Sequence, residues 1–585
     1  MKIKHFFGLA VIAAMAASCS SNEDLGTAGP GTGTNEAGAS YASITIDLPT
    51  TRGTRAKIDN FDGGTASEYA VNDATLLIFE MTGKSENDYK FVEKADLGNL
   101  EPWKNVTPAN EGITTEATIT AELKQVTVGE DGNYYALVIL NNKDKNNKDK
   151  VDMPSSTDTY GTWNDAAKVK NLIDYEKGFY MANAPEFKTA GEEPTTLVPI
   201  KGIYRTKEEA HSKPGATVHV ERGLAKVTVG SSNTSDYFAT AGANATGNKY
   251  KSDNVKITSW ALDVINNYSF PVHVTAGLKA GLTSTSQNVP SYPEIWSNIN
   301  GKTDRFVSQV SATGAFKRVY WGIDPNYSMD LSDLTKCKEQ FTLAEANGTG
   351  VTWNNGSGSD KPLYCLENTF DITNMKQGQT TRVLLKATYT PSAVAKETDK
   401  TFFMIGNSSD IWTVTTLAEQ IKSKAEELLG TTPGVTVTLN DGIKTAGTHV
   451  LDATNVNIKS GEDDKTADIV DQINNKLGFD KDKGVGIKTY KDGESYYIAR
   501  IKHFGDDFTK WKPGETYGTD NEKYLGRYGV LRNNWYDLTV NSISGPGYPD
   551  VPTVKPDVPD DEDTKYINVS VKILDWAKRS QNVDL

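Results

Sequence analysis

Histidine, cysteine and paired acidic residues could bind a metal or catalyse a reaction, so their spacing in this 585-residue sequence is a first test of function. Beyond the N-terminal segment the histidines are His211, His219, His273, His449 and His503, and no two of them form an HExxH or HxH pair. Such pairs are typical of zinc sites. No GxSxG nucleophile turn, GxxxxGK[ST] phosphate loop or GxGxxG dinucleotide turn occurs either. We therefore predict no metal, no cofactor and no enzymatic activity.

Charge and cysteine content argue against a nucleic-acid-binding protein and against a disulfide-stabilised scaffold. The formal net charge is −14, whereas a nucleic-acid-binding protein needs a basic face, so we expect no nucleic-acid partner. The three cysteines, Cys19, Cys337 and Cys365, are too few for a disulfide scaffold. Cys337 and Cys365 could form one disulfide, but we expect two buried free thiols, because a sequence does not show the geometry that a disulfide requires.

The N-terminal segment has the pattern of an export signal. A short basic region precedes the apolar run from Phe6 to Ala17, which is too short to span a bilayer. The small residues from Ala16 to Ser18, directly before Cys19, resemble the lipobox of bacterial lipoproteins. This resemblance implies a signal peptide over residues 1–18 and a lipid on Cys19 that holds the precursor in the outer membrane. The alternative is an ordinary cleavage site with an incidental cysteine.

Most of the remaining chain alternates in the way of β-strands. Gly, Asn and Asp residues separate the strand-like segments, which are 74–79, 134–140, 218–229, 255–262, 381–389, 496–501 and 535–540. Helices do not alternate regularly with these segments, which excludes a doubly wound sheet. Many short strands divided by turns predict an all-β protein built from sandwich domains.

Composition divides the chain into two domains. Small polar residues dominate 231–254, so we place a boundary at 240, between domains at 56–240 and 241–543. Two amphipathic stripes predict a short helical insertion in the second domain, near 405–490. We expect Thr415 or Thr416 to cap the first helix and Gly430 to follow it. The two stripes are Leu417, Ile421, Ala425 and Leu428, and Ile469, Val470, Ile473 and Leu477.

The chain ends with a linker and one isolated strand-like segment. Residues 544–565 are rich in Pro and Asp and cannot form a helix or a central strand. In the tail, 566–585, aliphatic residues alternate with polar ones between Tyr566 and Trp576. A strand beyond a long linker has no neighbour in sequence to pair with. It either crosses to another subunit or folds back as an edge strand, and the acidic, proline-rich linker disfavours the close return.

The first strand has the same alternation as the last one. Ile44, Ile46 and Leu48 lie on one face, and a flexible tether of small polar residues, 20–40, precedes them. The loop after this strand contains Arg52 and Arg55 among Gly and small polar residues, which is typical of an exposed loop that a protease can reach. The alternative for this loop is a plain surface turn.

Several motifs resemble those of fimbrillins, the type V lipoprotein pilins of anaerobic gut and oral bacteria. The segment from Tyr528 to Ile543 resembles their V-x-R-N-x-x-Y-x-L-x-V ending. The segment from Val220 to Val227 resembles their ER-x-x-A-K-V strand, and that from Tyr364 to Thr369 resembles their Y-x-x-E-N-T motif. The end of the chain, Ile573 to Leu585, resembles that of the minor (short) fimbrium shaft subunit.

The resemblance implies two transthyretin-like Greek-key β-sandwich domains and assembly by donor-strand exchange. An arginine-specific protease would cut after Arg55, or after Arg52, and remove the lipidated propeptide 19–55 together with the first strand. The emptied groove would accept the C-terminal strand of an identical subunit, so the protein would form a homopolymer with sibling anchor and tip subunits. Its place would be a surface fimbrium that supports adhesion and biofilm formation. The implied donor residues are Ile567, Val569, Val571, Ile573 and Trp576.

Two other functions stay open at this point. A tip or accessory fimbrial adhesin would not need both a cleavable strand and a long free tail. A glycan-binding or glycan-cleaving surface lipoprotein would share the export signal and the tether, but it gives no reason for the isolated last strand. We therefore favour a structural shaft subunit.

Overall fold

The computed structural model describes residues 38–49, 64–98, 100, 104–105, 113–129, 132–166, 169, 171–186, 194–213, 215–231, 249–275, 319, 321–327, 329–355, 361–370, 372–503, 510–512, 514–517, 524–560 and 567–575. In these ranges the chain is predominantly β, as the alternation predicts. Each of the strand-like segments named above coincides with one or two observed strands.

The first domain is a single sheet that folds over its own core. Its strands are β1 Ser40–Pro49, β2 Ala74–Glu80, β3 Lys90–Gly98, β4 Lys104–Asn105, β5 Ile113–Leu123, β6 Tyr134–Leu140, β7 Met181–Asn183, β8 Val198–Pro199 and β9 Ala216–Arg222. Their order is β3-β2-β6-β7-β9-β1-β5-β4, with β8 beside β6. The helices of this domain are α1 Ala66–Tyr69, α2 Tyr160–Ala166 and α3 Lys207–His211.

Strand β9 connects the two halves of this sheet. Its first residues pair with β1, and its last residues pair with β7. Aliphatic side chains from both halves, such as Ile46 on β1 and Ile78 on β2, lie in one buried cluster. The sheet therefore closes over a shared core, which is the arrangement of a sandwich.

The rest of the chain supplies a second domain and an insertion. Its strands are β10 Leu224–Ser231, β11 Asn254–Asp263, β12 Ile265–Asn266, β13 Phe341–Thr342, β14 Leu363–Leu366, β15 Arg382–Thr390, β16 Phe402–Ile405, β17 Val435–Leu439, β18 Gly447–His449, β19 Val456–Ser460, β20 Asp463–Asp464, β21 Ile487–Tyr490, β22 Glu494–Arg500, β23 Asn534–Ile543 and β24 Ile567–Asp575. Its helices are α4 Leu334–Gln340, α5 Val414–Leu429 and α6 Thr466–Leu477.

Two sheets pack face to face in the second domain. One has the order β14-β10-β23-β24 and the other the order β11-β15-β22. Val227 and Leu538 from the first sheet share a buried cluster with Leu385 from the second. The change of domain occurs at Gly223, because Leu224 still belongs to the first core and Ala225 already belongs to the second. The change therefore precedes the boundary at 240 that composition predicts.

The insertion between β15 and β22 has a core of its own. Two three-stranded sheets, β16-β21-β18 and β17-β19-β20, pack with α5 and α6 around Leu417, Ile421, Ile469 and Ile473. The two helix predictions are confirmed, with Gly430 and Gly478 as the C-caps. The insertion is nevertheless not simply helical, because six strands accompany the helices.

The N-cap prediction for α5 is wrong by one turn or less. Thr413 is the N-cap, and its side chain accepts a hydrogen bond from the backbone N–H of Thr416. Thr416 reaches back to the backbone of Thr413, which completes a capping box. Thr416 is therefore the reciprocal partner of the cap rather than the cap itself.

Candidate functional site

Strand β1, which the sequence singles out as removable, is an inner strand. Over its whole length it pairs antiparallel with β5, and residues 44–47 pair parallel with β9. The side chains of Ala42, Ile44, Ile46 and Leu48 are completely buried. Withdrawing β1 would therefore break two ladders of backbone hydrogen bonds and leave an apolar groove between β5 and β9.

A short segment between β8 and β9 also contacts the first residues of β1. We call residues 201–213 with Gly215 the strap. The backbones of Tyr41 and Tyr204 exchange two hydrogen bonds of 2.8 Å, and the Gly215 N–H donates to the Ser43 carbonyl at 2.8 Å. Helix α3 lies within the strap, and Thr206 caps it by accepting from the backbone N–H of Glu209. Gly215 has to be small, because a Cβ atom there would lie 2.9 Å from the Ser43 oxygen.

Polar groups flank one position on the other face of β1. Asp47, which is buried, lies in register between Glu116 on β5 and His219 on β9. The His219 ring has Asp47 Oδ2 3.8 Å from Nε2 and Glu186 Oε2 3.9 Å from Nδ1. Burial lowers the pKa of His219 to about 4 even though both carboxylates are near, so the ring is neutral at pH 7.

A cavity of about 350 Å³ opens beside this position. Its lining includes Glu186, Lys201, Gly215 and His219, so it lies between the strap and the β9 side of the β1 groove. It contains groups of both charges and is not a purely apolar pocket.

The last strand, β24, has a different environment. Its backbone pairs antiparallel with β23, from Ile567 opposite Ile543 to Asp575 opposite Asn534. It forms the edge of the four-stranded sheet, with a ladder on one side among the described residues. The terminal strand therefore returns to its own domain in this structure, which is the alternative that the sequence disfavours.

The first part of the linker 544–565 lies against the second domain, although its acidic, proline-rich composition disfavours a close return. Val551 and Val554 are buried, and Arg382 donates to the carbonyl of Pro552 at 2.7 Å. At the end of this docked stretch, the carboxylate of Asp560 lies 3.0 Å from the Arg500 guanidinium, and both side chains are almost fully buried. Proline prevents a helix or central strand here, but it does not prevent an extended chain from lying along a surface.

Other predicted residues lie outside the described part of the chain. These residues are Cys19, Arg52, Arg55 and Trp576. The described chain stops at Pro49, where β1 ends, and resumes at Gly64, so both arginines belong to the intervening segment. Lipidation, the cleavage site and the contribution of Trp576 stay predictions.

Three of the motifs quoted above meet at the joint between the domains, which the sequence does not predict. Glu367 of the Y-x-x-E-N-T motif accepts a 2.9 Å hydrogen bond from Arg532 of the R-N ending. His273 Nδ1 lies 2.9 Å from Glu221 of the ER motif, and its Nε2 lies 3.7 Å from Glu367. All four side chains are buried. They link segments that lie far apart in the sequence, and their burial and pairing favour a structural role.

Glu68 on α1 is the centre of a second cluster of buried polar contacts in this joint. Glu68 was not identified by the sequence analysis. Its carboxylate lies 2.8 Å from Lys226 Nζ and accepts a 2.6 Å hydrogen bond from the Tyr364 hydroxyl. Its carbonyl accepts a 2.7 Å hydrogen bond from Arg222, which also donates to Asn533 at 3.2 Å. Burial, with the Glu68 carboxylate nearby, raises the pKa of Tyr364. The chain that follows the Arg52–Arg55 segment is thus fixed to both domains.

Neither remaining cysteine is in a disulfide. Cys337 and Cys365 are both buried and free, and burial raises the pKa of both thiols, to about 11 and about 12. This confirms the expectation of free thiols. The described residues contain no cluster of three or more His, Cys, Asp or Glu side chains that could hold a metal. In the same ranges no helix has the length and hydrophobicity that crossing a bilayer requires.

Comparison with solved structures gives distant similarity along most of the chain. A candidate cell adhesion protein from Parabacteroides distasonis is 11% identical, with a TM-score of 0.36 over 92% of this chain and 98% of that chain. Another, from Bacteroides eggerthii, is 12% identical, with a TM-score of 0.33 over 93% and 98%. The tip fimbrial protein of Porphyromonas gingivalis with a C-terminal truncation is 10% identical, with a TM-score of 0.22 over 92% and 100%.

Sequence comparison gives a more local result. No curated protein matches the chain. Residues 488–582 match the family described as major fimbrial subunit protein type IV, fimbrillin, C-terminal. This range extends from β21 through β22, β23 and the docked linker to the terminal strand. The segment that matches the fimbrillin C-terminal family therefore includes the terminal strand β24.

Proposed function

We propose that this chain is a structural shaft subunit of a surface fimbrium and that it polymerises by donor-strand exchange. The observation that carries the proposal is the relation between its two end strands. β1 is an inner strand with two ladders, whereas β24 is an edge strand with a ladder to β23. The match of residues 488–582 to the fimbrillin C-terminal family supports the same function.

The groove that β1 occupies needs an occupant. Three large aliphatic side chains, Ile44, Ile46 and Leu48, are completely buried there, and each contributes about 1.5–3 kcal/mol by burial. Ordering a strand costs about 1–2 kcal/mol per residue, so the apolar contacts alone do not hold it. The two backbone ladders supply the rest, as they do when a peptide adds to a sheet. A strand that exchanges an edge position for this groove gains a second ladder.

Proteolysis would make the groove available. A cut in the segment between Pro49 and Gly64 would separate β1 from the body of the protein, and Glu68 would keep the new N-terminal region fixed to the joint. The lipid on Cys19 would leave with the propeptide. N-terminal sequencing of subunits from fibres tests this step: Ala56 as the first residue indicates a cut after Arg55, Gly53 indicates Arg52, and Cys19 contradicts maturation.

Lipidation has its own test. Cys19→Ser removes the thiol that would carry the lipid, so we expect no incorporation of radiolabelled palmitate and no surface filaments. Incorporation of palmitate by the variant precursor would contradict the lipobox interpretation.

Deletion of Tyr566 to Leu585 tests the polymerisation itself. We expect a folded, proteolytically matured monomer that forms no fibres, because the body of the second domain keeps its other sheet neighbours. Circular dichroism and N-terminal sequencing report folding and maturation, and electron microscopy reports fibres. Normal fibres from the deletion variant would contradict donor-strand exchange through β24. Antibody label along filaments would support a shaft subunit, and label confined to filament ends would instead indicate a tip subunit.

A further inference from the structure

We propose that Lys572 in the last strand of one subunit is recognised by Glu116 of the next subunit and that this contact sets the direction in which the strand enters the groove. The inference rests on the proposed function, because it concerns the same groove and a second copy of the chain as partner. It adds a specificity-determining pair that lies on the polar face rather than in the apolar core.

The alignment of the two end strands suggests the pair. Ala42 to Leu48 reads Ala-Ser-Ile-Thr-Ile-Asp-Leu, and Ile567 to Ile573 reads Ile-Asn-Val-Ser-Val-Lys-Ile. In this register the four buried aliphatic positions of β1, Ala42, Ile44, Ile46 and Leu48, all receive aliphatic residues. A hydroxyl also replaces a hydroxyl, because Ser570 takes the position of Thr45, whose Oγ1 lies 3.0 Å from Thr118 Oγ1. The one change of charge is at Asp47, which Lys572 replaces.

The surroundings of that position favour a cation. Across the sheet, the residues in register are Glu116 on β5, Asp47 on β1 and His219 on β9. Two acidic residues are therefore adjacent in this row while β1 is in place, and like charges directly opposite each other are destabilising. With Lys572 in the row, Glu116 would instead face a residue of opposite charge. On the far side the neutral His219 ring has Glu186 at 3.9 Å.

Strand direction follows from this charge. If the donor strand entered in the opposite direction, Asn568 would take the position of Asp47, and Lys572 would lie at the position of Ser43, away from Glu116. Both directions bury the same four aliphatic side chains, so the apolar face does not distinguish them. The carboxylate of Glu116 does, and it selects a donor strand that runs parallel to β9, as β1 does.

Charge reversal in the full chain tests the pair. We expect Lys572→Glu and Glu116→Lys each to lower the amount of fibre formed per matured subunit by about tenfold, since each replaces an attraction across the strands by a repulsion. The double variant Glu116→Lys with Lys572→Glu restores the attraction and should recover fibre to within about threefold of the unmodified protein. Lys578→Glu, the same change of charge beyond the strand, is the matched control and should form fibres normally.

Three results would overturn the proposal. In the first, Lys572→Glu forms as much fibre as Lys578→Glu. In the second, the double variant forms no more fibre than the single variants. In the third, fibre formation by Glu116→Lys is rescued by Asn568→Glu and not by Lys572→Glu, which would indicate the opposite strand direction. The amount of fibre is normalised to the amount of matured subunit in each sample, so a change in cleavage does not alter the result. The deletion of Tyr566 to Leu585 distinguishes failure of the proposed function from failure of this pair. Fibres from the deletion variant would contradict the proposed function. Fibre formation that does not respond to the charge reversals would contradict only the Lys572–Glu116 pair.

Discussion

The first and last strands have nearly the same pattern of side chains but are held in different ways. β1 lies between two strands and under the strap, and its aliphatic side chains from Ala42 to Leu48 are completely buried. Among the described residues, β24 lies at the edge of a sheet, beyond a linker that is docked as far as Asp560. Neighbouring elements, rather than the sequence of the strand, therefore decide which end strand is essential to the precursor and which is free to exchange.

Charged residues on the apolar faces of the two end strands should have very different effects on folding. Ile44→Asp with Ile46→Asp places two charges in the first core, and we expect the precursor not to fold, because the loss exceeds about 5 kcal/mol. The matched pair Val569→Asp with Val571→Asp leaves the precursor folded and abolishes fibres. Circular dichroism and fibre counts on the same samples check both. Equal loss of folding in the two variants would contradict the difference between the strands.

The next effect concerns the anchor of the last strand. Asp560→Ala removes one partner of a buried ion pair, and we expect a loss of about 3–5 kcal/mol in the local stability of the docked linker. Hydrogen exchange over residues 551–560 should become faster, while the core of the second domain keeps its protection. The exposed Asp557→Ala is the control. Unchanged exchange in Asp560→Ala would mean that the linker does not depend on this pair.

A smaller effect depends on pH and concerns the first strand. The pKa of His219 is about 4 in the folded chain, below its ordinary value near 6.5. As the pH falls from 7 to 4.5, the unfolded chain therefore binds the proton first, and the precursor loses about 1–3 kcal/mol of unfolding free energy. His219→Gln removes this component, so its pH dependence is flatter in denaturant titrations at the two values. Parallel profiles for the two proteins would contradict a depressed pKa.

The smallest expected loss of stability concerns the contact between the strap and β1. Gly215→Ala places a methyl group against the Ser43 carbonyl, and we expect a loss of about 1–2 kcal/mol in precursor stability. Gly230→Ala is the control, because a Cβ there has 3.9 Å to its nearest neighbour. Thermal melting distinguishes the two. A melting temperature for Gly215→Ala equal to that of the control would show that the strap yields without cost.

Local pattern accounts for much of what the sequence predicts correctly. The alternation of Ile44, Ile46 and Leu48 predicts a buried face, and the stripe from Leu417 to Ala425 predicts α5, because each depends only on residues a few positions apart. The small number of cysteines excludes a disulfide scaffold, but only the structure shows that Cys337 and Cys365 are buried free thiols.

The contacts between residues that lie far apart in the sequence are not predicted by the sequence analysis. Nothing in the local sequence indicates that the proline-rich linker docks through Asp560 on Arg500, or that β24 pairs with β23. Glu221, Glu367 and Arg532 stand out only as parts of three separate motifs, and their convergence requires the completed fold. One signal was available: charged residues embedded in otherwise apolar strand segments are buried at a cost and therefore need partners.

The joint around Glu68, Glu367 and Arg532 has a mechanical consequence in a fibre assembled as proposed. Tension would enter each subunit through the groove of its first domain and leave through the strand that follows Asp560 in its second domain. The load path between these two points crosses the joint, where side chains from five distant segments are buried together. A strand pulled along its own axis loads many ladder bonds at once, so under tension the filament would depend on this joint as much as on its strand exchanges.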